Sequence, residues 1–135
     1  MSDWDRIIAD LHRAEEDTDL AVKAYDALDK AADASWLPRL YQLLANGRDF
    51  FVREAAAVPI ARLDGPRALP QLLDALELGK AEGHDNDGLN SVITDLIDAN
   101  PEEAAIALRK KLAESPSKYQ RAAAANLLGF AEARR

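Results

Sequence analysis

The sequence predicts an all-helical protein built from stacked helical hairpins, and three observations carry that prediction. One segment says nearly the same thing twice. Trp36-Leu37-Pro38-Arg39-Leu40-Tyr41-Gln42-Leu43-Leu44 is echoed by Ala68-Leu69-Pro70-Gln71-Leu72-Leu73-Asp74-Ala75-Leu76, with the Leu-Pro pairs 32 residues apart. Apolar residues elsewhere recur at helical spacing, as in Leu89, Val92, Ile93, Leu96 and Ile97. Breakers and caps such as Asn46-Gly47, Gly65-Pro66 and Asn100-Pro101 fall between these stretches. A repeat of this length is that of a solenoid, in which a lone hairpin cannot cover its apolar face and neighbours must stack.

The elements follow in order. Ser2 and Asp5 form a weak capping box for a first helix over residues 3–16, on which Trp4, Ile7, Ile8 and Leu11 share a face. Asp17-Thr18-Asp19 caps a second helix with an apolar stripe of Leu20, Ala21, Ala24, Tyr25 and Leu28. Ser35 is the expected cap of the third helix, with Pro38 in its first turn, where the missing N–H costs nothing. Asp49 caps the fourth, and Pro59 in its interior is expected to kink it. Pro66 opens the fifth helix, residues 79–88 form the longest loop, and the sixth helix follows. Asn100-Pro101-Glu102-Glu103 starts the seventh, and Ser115-Pro116-Ser117 the eighth.

The stretch Asp49, Phe50, Phe51, Val52, Arg53, then Ala55 to Ala57, resembles the second helix of a HEAT-type repeat, and the Leu-Pro segments resemble its first helix. Asp19, Val22 and Lys23 match Asp49, Val52 and Arg53 at an offset of 30, and Gln120-Arg121 stands at the Val52-Arg53 positions of the last pair. The resemblance implies a right-handed α-solenoid of four HEAT-like helical hairpins in one domain, at about residues 3–33, 35–63, 66–98 and 101–134. It places first helices on the convex side and second helices on the concave side. It also implies that Arg53 and Arg121 are structural, pairing with an aspartate of an adjacent repeat, rather than rungs of an anion-binding ladder with Lys23.

The net charge of −7 is uneven. Residues 1–35 carry ten acidic and four basic side chains, whereas residues 101–135 carry four and seven. An acidic body repels phosphate backbones, so nucleic acid is not an expected partner. The acidic start of the chain has no basic region leading into an apolar stretch, and no apolar run nears the ~18 residues of a membrane span. A cytoplasmic protein without membrane contact is expected. With no cysteine, disulfides and thiolate metal sites are excluded.

Catalytic patterns are absent: no nucleophile elbow, no phosphate loop, no His-Glu-x-x-His pair. The Glu15-Glu16 and Glu102-Glu103 pairs sit at helix ends, and His12 falls on the polar side of its helix. His84-Asp85-Asn86-Asp87-Gly88 offers oxygen ligands but fails the EF-hand spacing, with Gly83 and Thr94 where ligands belong, so a polar turn is expected. No metal and no cofactor are predicted. Phe50 and Phe51 point about 100° apart, so one packs inward and Phe51 is offered as an exposed anchor. Asp26, Asp29, Glu54, Asp95 and Asp98 lie off the apolar stripes of the second helices. Together these residues predict an acidic partner-binding face on a non-enzymatic module that takes a basic protein. Size, charge and scaffold fit a bacterial immunity-type inhibitor of a basic toxin. The alternatives are a general scaffold or adaptor, a convex patch around Trp36 or Tyr41, or an enzyme resembling the phycobilin lyases.

Overall fold

A computed structural model describes residues 2–13, 16–47, 49–115 and 118–134, with the side chains of all but Tyr119 and Gln120. Glu15, Pro116 and Ser117 of the readings above lie outside them. The described residues are helical with no strand: α1 (Asp3–Leu11), α2 (Thr18–Ala31), α3 (Leu37–Asn46), α4 (Phe50–Asp64), α5 (Leu69–Ala81), α6 (Asp87–Ala99), α7 (Pro101–Glu114) and α8 (Lys118–Ala133). Short 3-10 turns, Ala34–Trp36 and Gly65–Ala68, lead into α3 and α5. No described helix is long and apolar enough to cross a membrane.

Local chemistry explains most boundaries. Ser2 Oγ accepts from the Asp5 N–H, the first half of the capping box, while the Asp5 carboxylate accepts from the Ser2 hydroxyl. Asp17 starts α2 by accepting from the Leu20 N–H at 3.0 Å, and Asp49 accepts from the Phe51 N–H at 2.8 Å. Other boundaries differ from expectation. The first helix ends at Leu11, short of the predicted residue 16, and α5 begins at Leu69, with Pro66 in the 3-10 turn before it. The cap before α3 is Asp33, which accepts from both the N–H and the hydroxyl of Ser35 and winds the 3-10 turn. The Asn100 side chain gives no cap to α7; its Nδ2 turns back to the Leu96 carbonyl and closes α6. The loop after α5 is shorter than predicted, because α5 runs through Gly79 to Ala81.

Gly79 stays helical for a packing reason. A Cβ there would lie 2.3 Å from Oδ1 of Asn86, whose amide is pressed against the helix. Asn86 is 5% exposed and donates to the Leu76 carbonyl at 3.3 Å. Its Oδ1 has no hydrogen-bond partner among the described residues. A weak Cα–H contact from Gly79 is what that oxygen can receive.

The chain divides into two compact units, Met1–Leu63 and Asp64–Arg135. In the first, α1 packs on α2. Trp4 of α1 meets Trp36 beside α3 edge-on at 5.4 Å, and Tyr25 of α2 meets Phe51 of α4 at 5.5 Å. First helix therefore neighbours first helix and second neighbours second. Leu11, Leu28, Leu40, Leu44, Val52 and Ile60 fill the core. Ala55, Ala56, Ala57 and Pro59 are buried as well, so α4 is enclosed around most of its girth, and the chain stays helical through Pro59.

The second unit repeats the scheme. There α5 touches α6, α7 and α8, α7 packs along α8, and Leu69, Leu72, Ile93, Ile97 and Leu108 are fully buried. Ion pairs join successive hairpins at about one repeat of sequence: Asp29 with Arg62 in the first unit, and Asp74 with Lys111 and Asp98 with Arg134 in the second.

In the α3–α4 and α7–α8 hairpins an arginine closes the preceding helix. Arg53, 3% exposed, donates from Nη1 to the Gly47 carbonyl at 2.8 Å, and Arg121 donates to the Ser115 carbonyl at 3.1 Å. Both reach back six residues to a helix end rich in unpaired carbonyls. At Gly47 a Cβ would lie 2.6 Å from the Leu43 carbonyl oxygen and 3.2 Å from the Arg53 stem.

Two outcomes are expected from denaturation. Arg53→Met, which keeps the stem and removes the charged donor, should cost about 1–3 kcal/mol and lower the thermal midpoint by about 4–12 °C. An unchanged midpoint would show that the guanidinium contributes nothing to the hairpin. Gly79→Ala should cost about 1–3 kcal/mol, and clearly less in an Asn86→Ala background, because the clash is with that one side chain. Equal costs in both backgrounds would locate the strain elsewhere.

Candidate functional site

The six residues assigned to partner binding fall into two groups, four on α2 and α4 of the first unit and two on α6 of the second. On the first unit, Tyr25 and Phe51 form a tilted aromatic pair, both rings half-buried. Burial, together with the negative charge of Glu54 and Asp29, pushes the Tyr25 hydroxyl up to about 12. The phenol also hydrogen-bonds Glu54, which favours its protonated form. Phe50 is half-buried too, so the two phenylalanines do not divide into one core and one exposed residue.

The carboxylates assigned to partner binding are engaged to different degrees. Asp29 accepts from Arg62 Nε at 3.0 Å, while Arg62 Nη2 donates to the backbone carbonyls of Asp29 and Ala32. Arg62 thus caps α2 from the next hairpin, and Asp29 helps hold it there. Asp26 pairs with Lys30 one turn along α2, 2.8 Å away and open to solvent. On α6, Asp98 is held by Arg134, whose guanidinium also lies 3.2 Å from the Phe130 ring centroid. Asp95 is exposed and has no ion-pair partner among the described residues.

Sequence reading missed Arg62, Lys111 and Arg134 as the partners of these acids. A signal was present: each stands 33 to 37 residues after its carboxylate, about one repeat on. It was obscured because exposed acids and bases are common at every spacing. Arg53 and Arg121 stand on the carbonyl ends of their own hairpins, as described above. Lys23 is exposed and lines a groove of about 250 Å³ between α1 and α2, beside Asp3 and Asp10.

The polar turn between α5 and α6 is held by its own contacts. Asp87 N–H donates to Asp85 Oδ1 at 2.9 Å, and the neighbouring Asp85 charge raises the Asp87 carboxyl above its usual value. His84 lies 3.7 Å from Glu82. Among the described residues, no three side chains of the metal-binding types converge.

The α2–α4 edge offers two partly open rings and a rim of carboxylates, and cations are attracted to both. No protein-family model, curated protein or solved structure compared with the chain matches it.

Tyr25 supplies a titration test. Its pKa is raised on folding, so its contribution to stability is complete below pH ~10, the unfolded value, and disappears as pH rises through about 12. Absorbance of the ionised phenol should show one tyrosine transition delayed to about pH 12, absent in Tyr25→Phe and earlier in Glu54→Gln. Ionisation of all tyrosines together near pH 10 would contradict this environment.

Proposed function

We propose that the chain is a non-enzymatic protein-binding module that receives a basic partner along the acidic, aromatic edge of its second helices. The observation that carries this reading is the Tyr25–Phe51 pair rimmed by Glu54 and Asp29, with the exposed Asp26 next along α2. Partly exposed aromatic rings with few rotamers anchor interfaces well, and the surrounding carboxylates favour arginine or lysine over them. Asp95 and Asp98 on α6 extend the acidic character along the chain.

The reading includes an architecture. Like-on-like packing within each unit, and ion pairs one repeat apart, support a right-handed α-solenoid of four HEAT-like hairpins. Residual dipolar couplings that fit one alignment tensor, with α2, α4, α6 and α8 side by side, would favour it; independently oriented units would count against it. Size, charge and scaffold further suit an immunity-type inhibitor acting in the cytoplasm on a basic toxin.

The binding test starts with capture on immobilised protein, elution by salt and identification of what elutes. With the partner purified, Asp26→Lys combined with Asp95→Lys should slow association at low salt by about tenfold or more. Both positions are exposed, so folding should be preserved. Association that ignores both the reversals and the salt would refute the acidic-edge reading.

A further inference from the structure

A second surface, on the first helices of the first unit, has the opposite chemistry. Between α1 and α3 lies an open cleft of about 470 Å³, within the size range of small-molecule sites. One wall is Trp4, Ile8 and His12, four residues apart along α1; the other is Arg39, Gln42 and Asn46, along one face of α3. No aspartate or glutamate is among its described lining residues. That is notable where residues 1–35 alone carry ten acids.

Arg39 is the centre of this cleft. Its guanidinium lies 4.9 Å from the Trp4 ring centroid and 5.7 Å from that of Trp36, and the two indoles meet edge-on at 85°. The cation is held by ring faces, with no ion-pair partner among the described residues. Ring faces position a guanidinium without using up its donors, which leaves the planar fork available for a carboxylate. Gln42 and Asn46, one and two turns beyond Arg39, add amide groups, while Ile8 supplies an apolar wall. His12 Nδ1 donates to the Ile8 carbonyl at 2.9 Å, which fixes the ring across the end of α1.

We propose that the α1–α3 cleft binds a small organic monocarboxylate with a compact apolar body, its carboxylate on Arg39 and its body against Ile8. A single negative charge suits the site better than a polyanion, because the surrounding chain is acidic and repels larger negative charge.

Trp4 and Trp36 are the only tryptophans in the chain, so selectively excited tryptophan fluorescence reports on this place alone. Cyclohexanecarboxylate, which is transparent at these wavelengths, is the probe, and cyclohexanemethanol is its neutral counterpart. The acid should give a saturable change with a dissociation constant on the order of 1 mM or tighter. The alcohol should bind at least about tenfold more weakly, as should the acid to Arg39→Gln. Because Arg39→Gln also alters the indole environment, ligand-observed NMR measures binding to that variant, and circular dichroism checks its fold. No saturable response up to ~20 mM acid would overturn the proposal. So would equal binding of the alcohol, or unchanged binding to Arg39→Gln. Tighter binding of acetyl-Ala-Ala-Leu with a free C-terminus would reassign the cleft to a peptide end and overturn the small-acid assignment.

Discussion

A buried guanidinium at the end of a helix sets the geometry of the α3–α4 hairpin. A charge taken out of water must find acceptors, and Arg53 finds one at the C-terminus of α3, where carbonyls lack partners and the helix dipole is negative. That contact needs the α3 end and the start of α4 at one separation. It also needs no side chain on Gly47, where a Cβ would strike both the Leu43 carbonyl and the Arg53 stem. With the turn set in this way, Val52 and Ala55 to Ala57 are carried into the core beside it. Arg121 and Ser115 repeat the contact in the last hairpin at the same spacing.

Packing between hairpins uses smaller increments. Alanines on α4 and on α7 let helix backbones approach, and leucine and isoleucine fill what remains. The pairs Asp29–Arg62, Asp74–Lys111 and Asp98–Arg134 join each hairpin to the next within its unit. All are partly exposed, so each is worth at most ~1 kcal/mol. Their effect is on register, since a hairpin shifted by one turn would separate acid from base. Arg62 does more than its charge implies, because it also satisfies two carbonyls at the end of α2.

These structural duties shape the surfaces. Asp29 in the first unit and Asp98 in the second are partly neutralised by their arginines, so each unit carries less unpaired negative charge on its second helices than a residue count suggests. The distinctive feature of the first unit's acidic edge is the Tyr25–Phe51 pair, with Glu54 hydrogen-bonded to the phenol. On α1 and α3 the sign reverses: a cation sits against two touching indoles in a cleft whose described lining has no carboxylate. One short unit therefore presents an acidic aromatic edge and a cationic aromatic cleft on different helices.

Helix number, helix order and most starts were legible in the sequence, because periodicity, prolines and capping residues act over a few residues. The eight predicted helices all appear, and Asp17 and Asp49 cap where their local chemistry places them. The candidate site was legible only as a set of residue types. Whether Asp29 is available to a partner depends on Arg62, 33 residues away, and whether Gly79 breaks or continues its helix depends on Asn86 packing against it. The Trp4, Trp36 and Arg39 cluster joins residues one helical turn apart to one a full repeat earlier, and neither spacing says that the indoles meet under the guanidinium. Local preference decided where helices begin and end in this protein. Tertiary structure decided which charges are neutralised and which rings meet, because those outcomes depend on distances that no short stretch of chain encodes.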